Sequence, residues 1–373
     1  MINNSTNIEF DFLEHFDYPG KKNYKWICDR PIIDNYSRVC FYGIHKNDSQ
    51  KTVFVKLMKI EQRKYEDIIK EIYFLVLLKN KMFFVDLDDI LLSKNKEIIY
   101  LIFEKNNTSL RKLIEYKDNK NEKAINYLDN KELVKWIIYQ IALGLKFLHY
   151  NNIIHNDIKP DNILINEKAI ISICDFGSAT YKNEKSFEYT KLYAPPEFLN
   201  TLIKKKEEIT NIQYNRDEKS DIWALGVIIV ELLLQKKHYF KEENEIILTK
   251  EKVLKNIFSK FGFTINENSF INNEIEQLIN DNLNKYSVKI EEENIDDDAI
   301  DLIKNLLVLN PKNRFSADQV INSDYLKDYK EIYLIEMETI NIHGIDYNQL
   351  TPIEDSDKFF EKYNILYNAF KNS

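Results

Sequence analysis

His155-Asn156-Asp157-Ile158-Lys159-Pro160-Asp161-Asn162 is the stretch from which the rest of the chain can be read, together with Asp175-Phe176-Gly177 a little further on. The Asp157 carboxylate can accept the proton of an incoming hydroxyl. Asn162 and Asp175 offer hard oxygen ligands of the kind Mg2+ takes when it accompanies ATP. Ile163-Leu164-Ile165 and Ile170-Ile171-Ser172-Ile173 read as two short strands around a turn, and they present the loops that carry Asn162 and Asp175. Loops held by strands keep such groups on a rigid base.

A chain of 373 residues exceeds one small core, so a two-lobed body is expected. Net charge is −8 with no dominating basic patch, which argues against nucleic acid as a partner. Cys28, Cys40 and Cys174 fit neither a disulfide framework nor a metal knuckle, and a reducing compartment is the simpler reading. Met1-Ile2-Asn3-Asn4 lacks the basic start and apolar run of a signal peptide. The longest apolar stretch, Ile222 to Leu234, is too short for a bilayer and contains Glu231; it reads as a buried helix. The expectation is a monomer with no membrane partner, cytoplasmic or of unassigned location.

Residues 1 to about 25 show no clear period and read as an extension. Arg38 to Ile44 and Thr52 to Leu57 are β-branched or aromatic, as paired strands are, with a polar hairpin at Lys46-Asn47-Asp48-Ser49-Gln50 between them. Glu61 to Lys79 carries Ile68, Ile69, Ile72, Leu75, Val76 and Leu78 on one helical side, and Glu97 to Glu104 returns to strand. Beyond Lys105 the pattern is mostly helical. Glu132 to Tyr150 places Leu133, Trp136, Ile137, Ile141, Leu145 and Leu148 at core spacing, and Ala299 to Leu309 is a further helix. The charge runs Lys204 to Glu208 and Glu291 to Asp298 read as solvated loops.

In their order, these motifs resemble the eukaryotic protein kinases of the Ser/Thr type. The resemblance spans residues from about 30 to 330. It implies an α+β, bilobal protein-kinase-like fold: a small antiparallel β-sheet N-lobe with one main helix (about 26–104) and a larger, mostly helical C-lobe (about 107–330). A C-terminal helical extension, 331–373, would pack on that domain through an amphipathic segment, Phe359 to Tyr367. ATP and Mg2+ are the implied cofactors, and proteins with Ser or Thr acceptors the implied substrates. Asp157 is the implied base, Lys159 the holder of the γ-phosphate, Asn162 and Asp175 the metal ligands, and Thr190 the bridge between Asp157 and Lys159. Lys56 in Val53-Phe54-Val55-Lys56 would anchor the α- and β-phosphates, oriented by Glu71. Glu66 competes for that role, but Ile72, Leu75 and Val76 turn Glu71 toward the core. Val39, Phe103, Glu104 and Asn106 would line the adenine site, with Phe103 as gatekeeper and Glu104 to Asn106 as hinge. His155 is expected to bond backbone, and Cys174 to be a small buried hydrophobe. Glu197 is expected to pair with Arg314, and Asp221 to open the helix that anchors the catalytic loop. Asp161 and Glu231 align with acidic positions that read basic residues upstream of the acceptor.

The departures are as informative. The three glycine positions of the phosphate lid hold Ile32, Asp34 and Ser37, with Tyr36 at the aromatic tip. Only glycine lets backbone approach phosphates closely, so two readings stand: an active enzyme with a weakened clamp, or a pseudokinase-like nucleotide-binding scaffold. Asn156 replaces the Arg that would pair with a phosphorylated activation loop, which implies activity without that phosphate. Phe54-Val55-Lys56 and the missing glycines look like the apicomplexan kinases named for a Phe-Ile-Lys-Lys motif, although Leu57 breaks its fourth letter. Asp175 to Thr180 is similar to the dual-specificity kinases of splicing factors. Segments near 116–131, 200–219 and 236–298 read as polar insertions.

Overall fold

Val53, Val55 and Leu57 alternate with Phe54 and Lys56, and a period of two sends the two sets to opposite faces of a strand. In the computed structural model, β1 (Tyr24–Asp34), β2 (Arg38–His45), β3 (Asp48–Lys59), β4 (Leu87–Leu92) and β5 (Ile98–Glu104) form one antiparallel sheet in the order β1-β2-β3-β5-β4. Val53, Val55 and Leu57 join Phe41, Leu91, Tyr100 and Ile102 in one apolar layer. Each such side chain removed from water contributes about 1.5–3 kcal/mol, and this layer drives the assembly of the sheet. The structure describes residues 24–34, 38–45, 48–104, 108–116, 127–184, 189–204, 217–242, 245–266, 269, 273–281, 288–290, 295–329, 338–342, 345–350, 353 and 355–372. The chain divides into two units, one of residues 1–80, 85–106 and 342–373, the other of residues 81–84 and 107–341.

In the first unit, helix α1 (Tyr65–Leu77) buries Ile68, Ile69, Ile72, Leu75 and Val76, as the spacing predicts. Its start differs from the expected Glu61. Ile60–Gln62 forms a 3-10 turn, and Arg63 and Lys64 are extended before the helix begins. The cause is Ile60, buried and with its N–H on the Glu97 carbonyl at 2.9 Å, which ties the turn to the approach of β5. β3 also begins earlier than predicted. The ladder with β2 extends to His45–Asp48 across a bulge, so Asp48 to Gln50 are strand and only residues 46–47 lie between the two strands.

The C-terminal helix Ser356–Asn372 belongs to this unit and buries Phe359, Tyr363, Leu366 and Phe370, a single helical stripe. Phe359 stacks on Tyr65 of α1 with ring centroids 4.7 Å apart, and Lys371 reaches the buried Asp89 at 2.7 Å. Tyr347 packs on Tyr73 and Phe74 of the same helix α1.

The second unit is built on two long helices. α2 (Leu110–Tyr116) follows the short strand β6 (Thr108–Ser109), and α3 (Lys131–Tyr150) is capped by Asn130, whose side chain accepts from the amides of Glu132 and Leu133. Ile137, Ile141, Leu145 and Leu148 are fully buried. Leu133 and Trp136, expected in the core, are half-buried; Trp136 instead packs against Tyr139 and Tyr329 near the helix start. β7 (Ile153–Ile154) pairs with β10 (Thr180–Tyr181), and β8 (Ile163–Ile165) lies between β6 and β9 (Ile171–Ile173). Gly144 lets α3 meet β9, since a Cβ there would stand 2.7 Å from Ile173. α4 (Pro196–Lys204) precedes α5 (Glu218–Leu234), which is buried on nearly all sides. The segment 236–298 is not simply a polar insertion: α6 (Lys250–Lys260) and helix Glu274–Asn280 bury Val253, Leu254, Ile257, Phe258 and Ile275. These apolar residues recur at helical spacing among charges, which hides them in a composition count.

Phe359→Ala should remove the ring that seats the C-terminal helix on α1. Large-to-small changes of this kind cost about 3–5 kcal/mol, to be read as a lower urea midpoint.

Candidate active site

Because β3 alternates, Lys56 leaves the apolar layer and turns to the face that α1 covers. Its Nζ lies 2.5 Å from Glu71 Oε1, and both groups are buried. The other carboxylate oxygen, Oε2, accepts from Arg63 Nη1 at 2.9 Å. Glu66, the competing candidate, is turned elsewhere and accepts from the Ile353 amide. Val39 is half-buried on β2 beside Leu57. Phe103 is buried on β5 opposite Phe54, and Glu104 is exposed at the strand end. Asn106 and Lys105 lie outside the described residues. Among the lid positions, Ile32 and Asp34 belong to β1, whose ladder with β2 shifts register between Ile27 and Ile32 and then continues through Ile32–Cys40 and Ile33–Val39 to the pair Asp34–Arg38; Tyr36 and Ser37 lie outside the described residues.

In the second unit, three side chains close on one another. Thr190 Oγ1 donates to Asp157 Oδ1 at 2.6 Å, while Lys159 Nζ donates to Asp157 Oδ2 at 2.7 Å and to Thr190 Oγ1 at 2.9 Å. Asn162 donates from Nδ2 to the Asp157 carbonyl at 2.8 Å and to Asp157 Oδ2 at 3.2 Å. That orientation turns its Oδ1 the other way, as a hard oxygen acceptor. Asp175 follows β9 in the left-handed region at φ 64° and is half-buried. Oxygen donors of this kind suit Mg2+, which prefers carboxylate and carbonyl ligands.

The loop is held from behind by Asp221. Its Oδ2 accepts from the His155 amide at 2.9 Å and its Oδ1 from the Asn156 amide at 3.0 Å, with His149 Nε2 also 3.0 Å from Oδ2. Burial pushes the Asp221 carboxyl up, but the hydrogen bonds with His149 and the His155 amide outweigh it and hold it below its ordinary value. His155 is fully buried: Nδ1 accepts from the Asp157 amide at 3.3 Å, which leaves Nε2 to donate to the Cys174 carbonyl at 3.0 Å. It is a scaffold residue. Phe176 packs on His155 and Phe84. Asn156 has φ 67°, a backbone region Asn tolerates better than most side chains. Its side-chain Nδ2 donates to the Ser178 carbonyl and to Thr180 Oγ1, both at 2.9 Å. Cys174, expected to be buried, is half-exposed beside Asp175.

With this geometry in view, the profile described as "Protein kinase domain" matches residues 35–326. The chain belongs to the protein kinase family. Curated relatives include mitogen-activated protein kinase HOG1 of Gibberella zeae, 29% identical over 259 residues, and that of Beauveria bassiana, 30% identical over 258 residues. Each alignment covers 66% of this chain and 63% of the relative, so less than two thirds of those proteins is matched. The α+β kinase fold accounts for a sheet-bearing unit and a mostly helical one. Among the described residues, no helix is long and apolar enough to cross a membrane.

Within the kinase domain, Arg314 holds Glu197 through two parallel 2.7 Å bonds and lies over the Trp223 ring at 4.9 Å. Pro195 accepts at its carbonyl from the amides of Phe198 and Leu199 at the start of α4. The acidic pair Asp161 and Glu231 corrects an expectation. Glu231 is fully buried and bonded to Arg111 at 3.2 Å, to the Tyr193 hydroxyl and to the Tyr239 amide, so it does not face an incoming basic residue. Burial pushes the Glu231 carboxyl up against the opposing pull of Arg111. Asp161 stays half-exposed, 3.3 Å from Arg111. Sequence alone does not mark Arg63 or Arg111: Arg63 sits in the polar run Glu61-Gln62-Arg63-Lys64, and Arg111 lies among Leu110, Lys112 and Leu113, as a cation on the wet face of an amphipathic helix would.

Asp221→Ala should strip the partners from two buried amides. Each unpaired group costs about 1–3 kcal/mol, so stability and turnover fall together. The folded pKa of Asp221 is depressed. Its contribution is therefore fully present above the ordinary carboxylate value of about 3.9 and is lost as pH falls through the folded value. Urea midpoints of the two proteins should accordingly converge in acid.

Proposed function

We propose that the chain is an ATP-dependent protein kinase that transfers the γ-phosphoryl group to Ser or Thr hydroxyls of protein substrates. The observation that carries this reading is the closed set Asp157–Lys159–Thr190. The acceptor hydroxyl loses its proton to Asp157 as its oxygen bonds the γ-phosphorus, the bond to the β-phosphate oxygen breaks, and ADP leaves. Lys159 stabilises the charge on the transferring group. Thr190 holds the carboxylate and the ammonium in register, and a Lys and Thr in these places favour aliphatic hydroxyl acceptors. Lys56, held by Glu71, anchors the phosphates. Val39, Phe103, Glu104 and Asn106 serve the adenine. Asn162 and Asp175 would hold Mg2+, which supplies charge neutralisation on the phosphates. Protein rather than small-molecule substrates fit the segment Thr190 to Glu197, ordered by Arg314. With Glu231 buried, any preference for basic residues falls to Asp161 alone. The narrower likeness to the Phe-Ile-Lys-Lys kinases rests on Phe54-Val55-Lys56 and the glycine-free lid.

A nucleotide-binding scaffold is the second reading, favoured by Ile32, Asp34 and Ser37 where glycines would stand. A radiolabel transfer assay on a basic protein substrate separates the two. Asp157→Ala should lower incorporation about 10²–10⁴-fold, the range for general base catalysis. Equal incorporation by both proteins would sink the enzyme reading.

Activity without a phosphorylated activation segment is part of the proposal. Asn156 spends its amide on Ser178 and Thr180, so a side chain of the catalytic loop itself ties down the start of that segment. Phosphatase-treated enzyme should keep its turnover within about twofold, since no arginine at position 156 waits for a phosphate on that segment. Loss of turnover on treatment would refute the idea.

A further inference from the structure

We propose that Arg63 is a positioning residue for nucleotide binding, acting through Glu71. It rests on the reading that Lys56 anchors the phosphates of ATP. Arg63 sits in the extended link between the 3-10 turn and α1, with φ −135°, and its amide lies 3.4 Å from the Ile60 carbonyl. The side chain is largely buried, 14% exposed, and its Nη1 contacts both Glu71 Oε2 at 2.9 Å and Met58 Sδ at 3.1 Å. Met58 belongs to β3, the strand that carries Lys56. The guanidinium therefore staples the start of α1, its second turn and β3 to one another.

The chemistry of a buried carboxylate explains why this matters. The terminal torsion of Glu is broad and roughly two-fold, so one ammonium on one oxygen leaves the group able to turn. A cation on each oxygen fixes it, and Oε1 is then aimed at Lys56. Arg suits the task because it stays charged on burial and presents donors in a rigid plane. A rotation of α1 that withdraws Glu71 from Lys56 leaves the buried carboxylate short of one partner, which is costly, and pulls on the Arg63 contact with Met58 of β3. The constraint has particular weight here. The lid contributes no glycine, so backbone amides offer the phosphates less, and the fixed orientation of Lys56 carries more of the binding.

The test uses the full chain, with a fluorescent ATP analogue and Mg2+ for affinity and a peptide substrate for kinetics. Arg63→Ala is expected to weaken nucleotide binding and raise KM for ATP about tenfold, while KM for the peptide stays unchanged. Arg63→Lys keeps the charge and loses the fork, and should fall between; it also serves if the alanine variant does not fold, as judged by its melting curve. Since Arg63 acts through Glu71, the double variant Arg63→Ala/Glu71→Gln should bind no more weakly than Glu71→Gln alone. Affinity of Arg63→Ala within twofold of the parent, or additive losses in the double variant, overturns the proposal. Lys56→Met distinguishes the two levels. If it abolishes binding while Arg63→Ala changes nothing, only the role of Arg63 fails. If it too binds normally, the phosphate-anchoring reading fails with it.

Discussion

Asp221, 1% exposed at the start of α5, receives two consecutive backbone amides, those of His155 and Asn156, and the ring of His149. A carboxylate taken this far from water is tolerated only if its oxygens are filled, and here the donors come from a loop and from the end of α3. The requirement runs in both directions. The buried charge needs the loop, and the loop takes its left-handed turn at Asn156 where the two amides converge. Asp157 follows directly, so the place of its carboxylate is set by a helix that begins more than sixty positions later in the chain. His155 carries the same constraint onward to the Cys174 carbonyl, one residue before Asp175.

Around this centre, other buried charges bind long stretches of chain together. Arg314 joins Glu197 from α4 and lies over Trp223 of α5. Arg111, from α2, meets Glu231 of α5 and the Tyr193 hydroxyl beside Thr190. In each case the carboxylate or guanidinium touches two or three elements, which makes the pair a device for selecting one arrangement among many more than a net source of stability. The first unit uses apolar surface instead. Phe359 and Tyr347 press on α1 from its outer side, while Lys56 and Arg63 hold Glu71 on the other.

Much of this was legible in the residues. The alternation of Val53, Val55 and Leu57 put Lys56 on the opposite face of its strand, and the apolar run after Glu71 turned that carboxylate inward where Glu66 could not follow. Thr190, Asp157 and Lys159 were expected together and lie within hydrogen-bonding distance. Helix α1 starts later than its sequence suggests because Glu61 and Gln62 favour a helix as readily as they favour the turn that Ile60 imposes. Leu133 and Trp136 have core spacing, but the helix end they occupy reaches the surface. Arg63 and Arg111 escape a reading of the sequence because a cation in a polar run, or on an amphipathic helix, looks solvated whether or not a carboxylate waits for it inside.

Periodicity and turn chemistry act over a few residues, so the order of the chemical groups and the face each occupies on its helix or strand follow from local sequence. Which charge answers which follows from packing. Arg111 and Glu231 stand 120 positions apart, and Glu197 and Arg314 117. Glu231, expected to meet a substrate, was claimed by an arginine of its own chain. No local pattern encodes such a partner. It is selected when burial strips water from both groups and leaves each with only the donors or acceptors that packing has brought within reach.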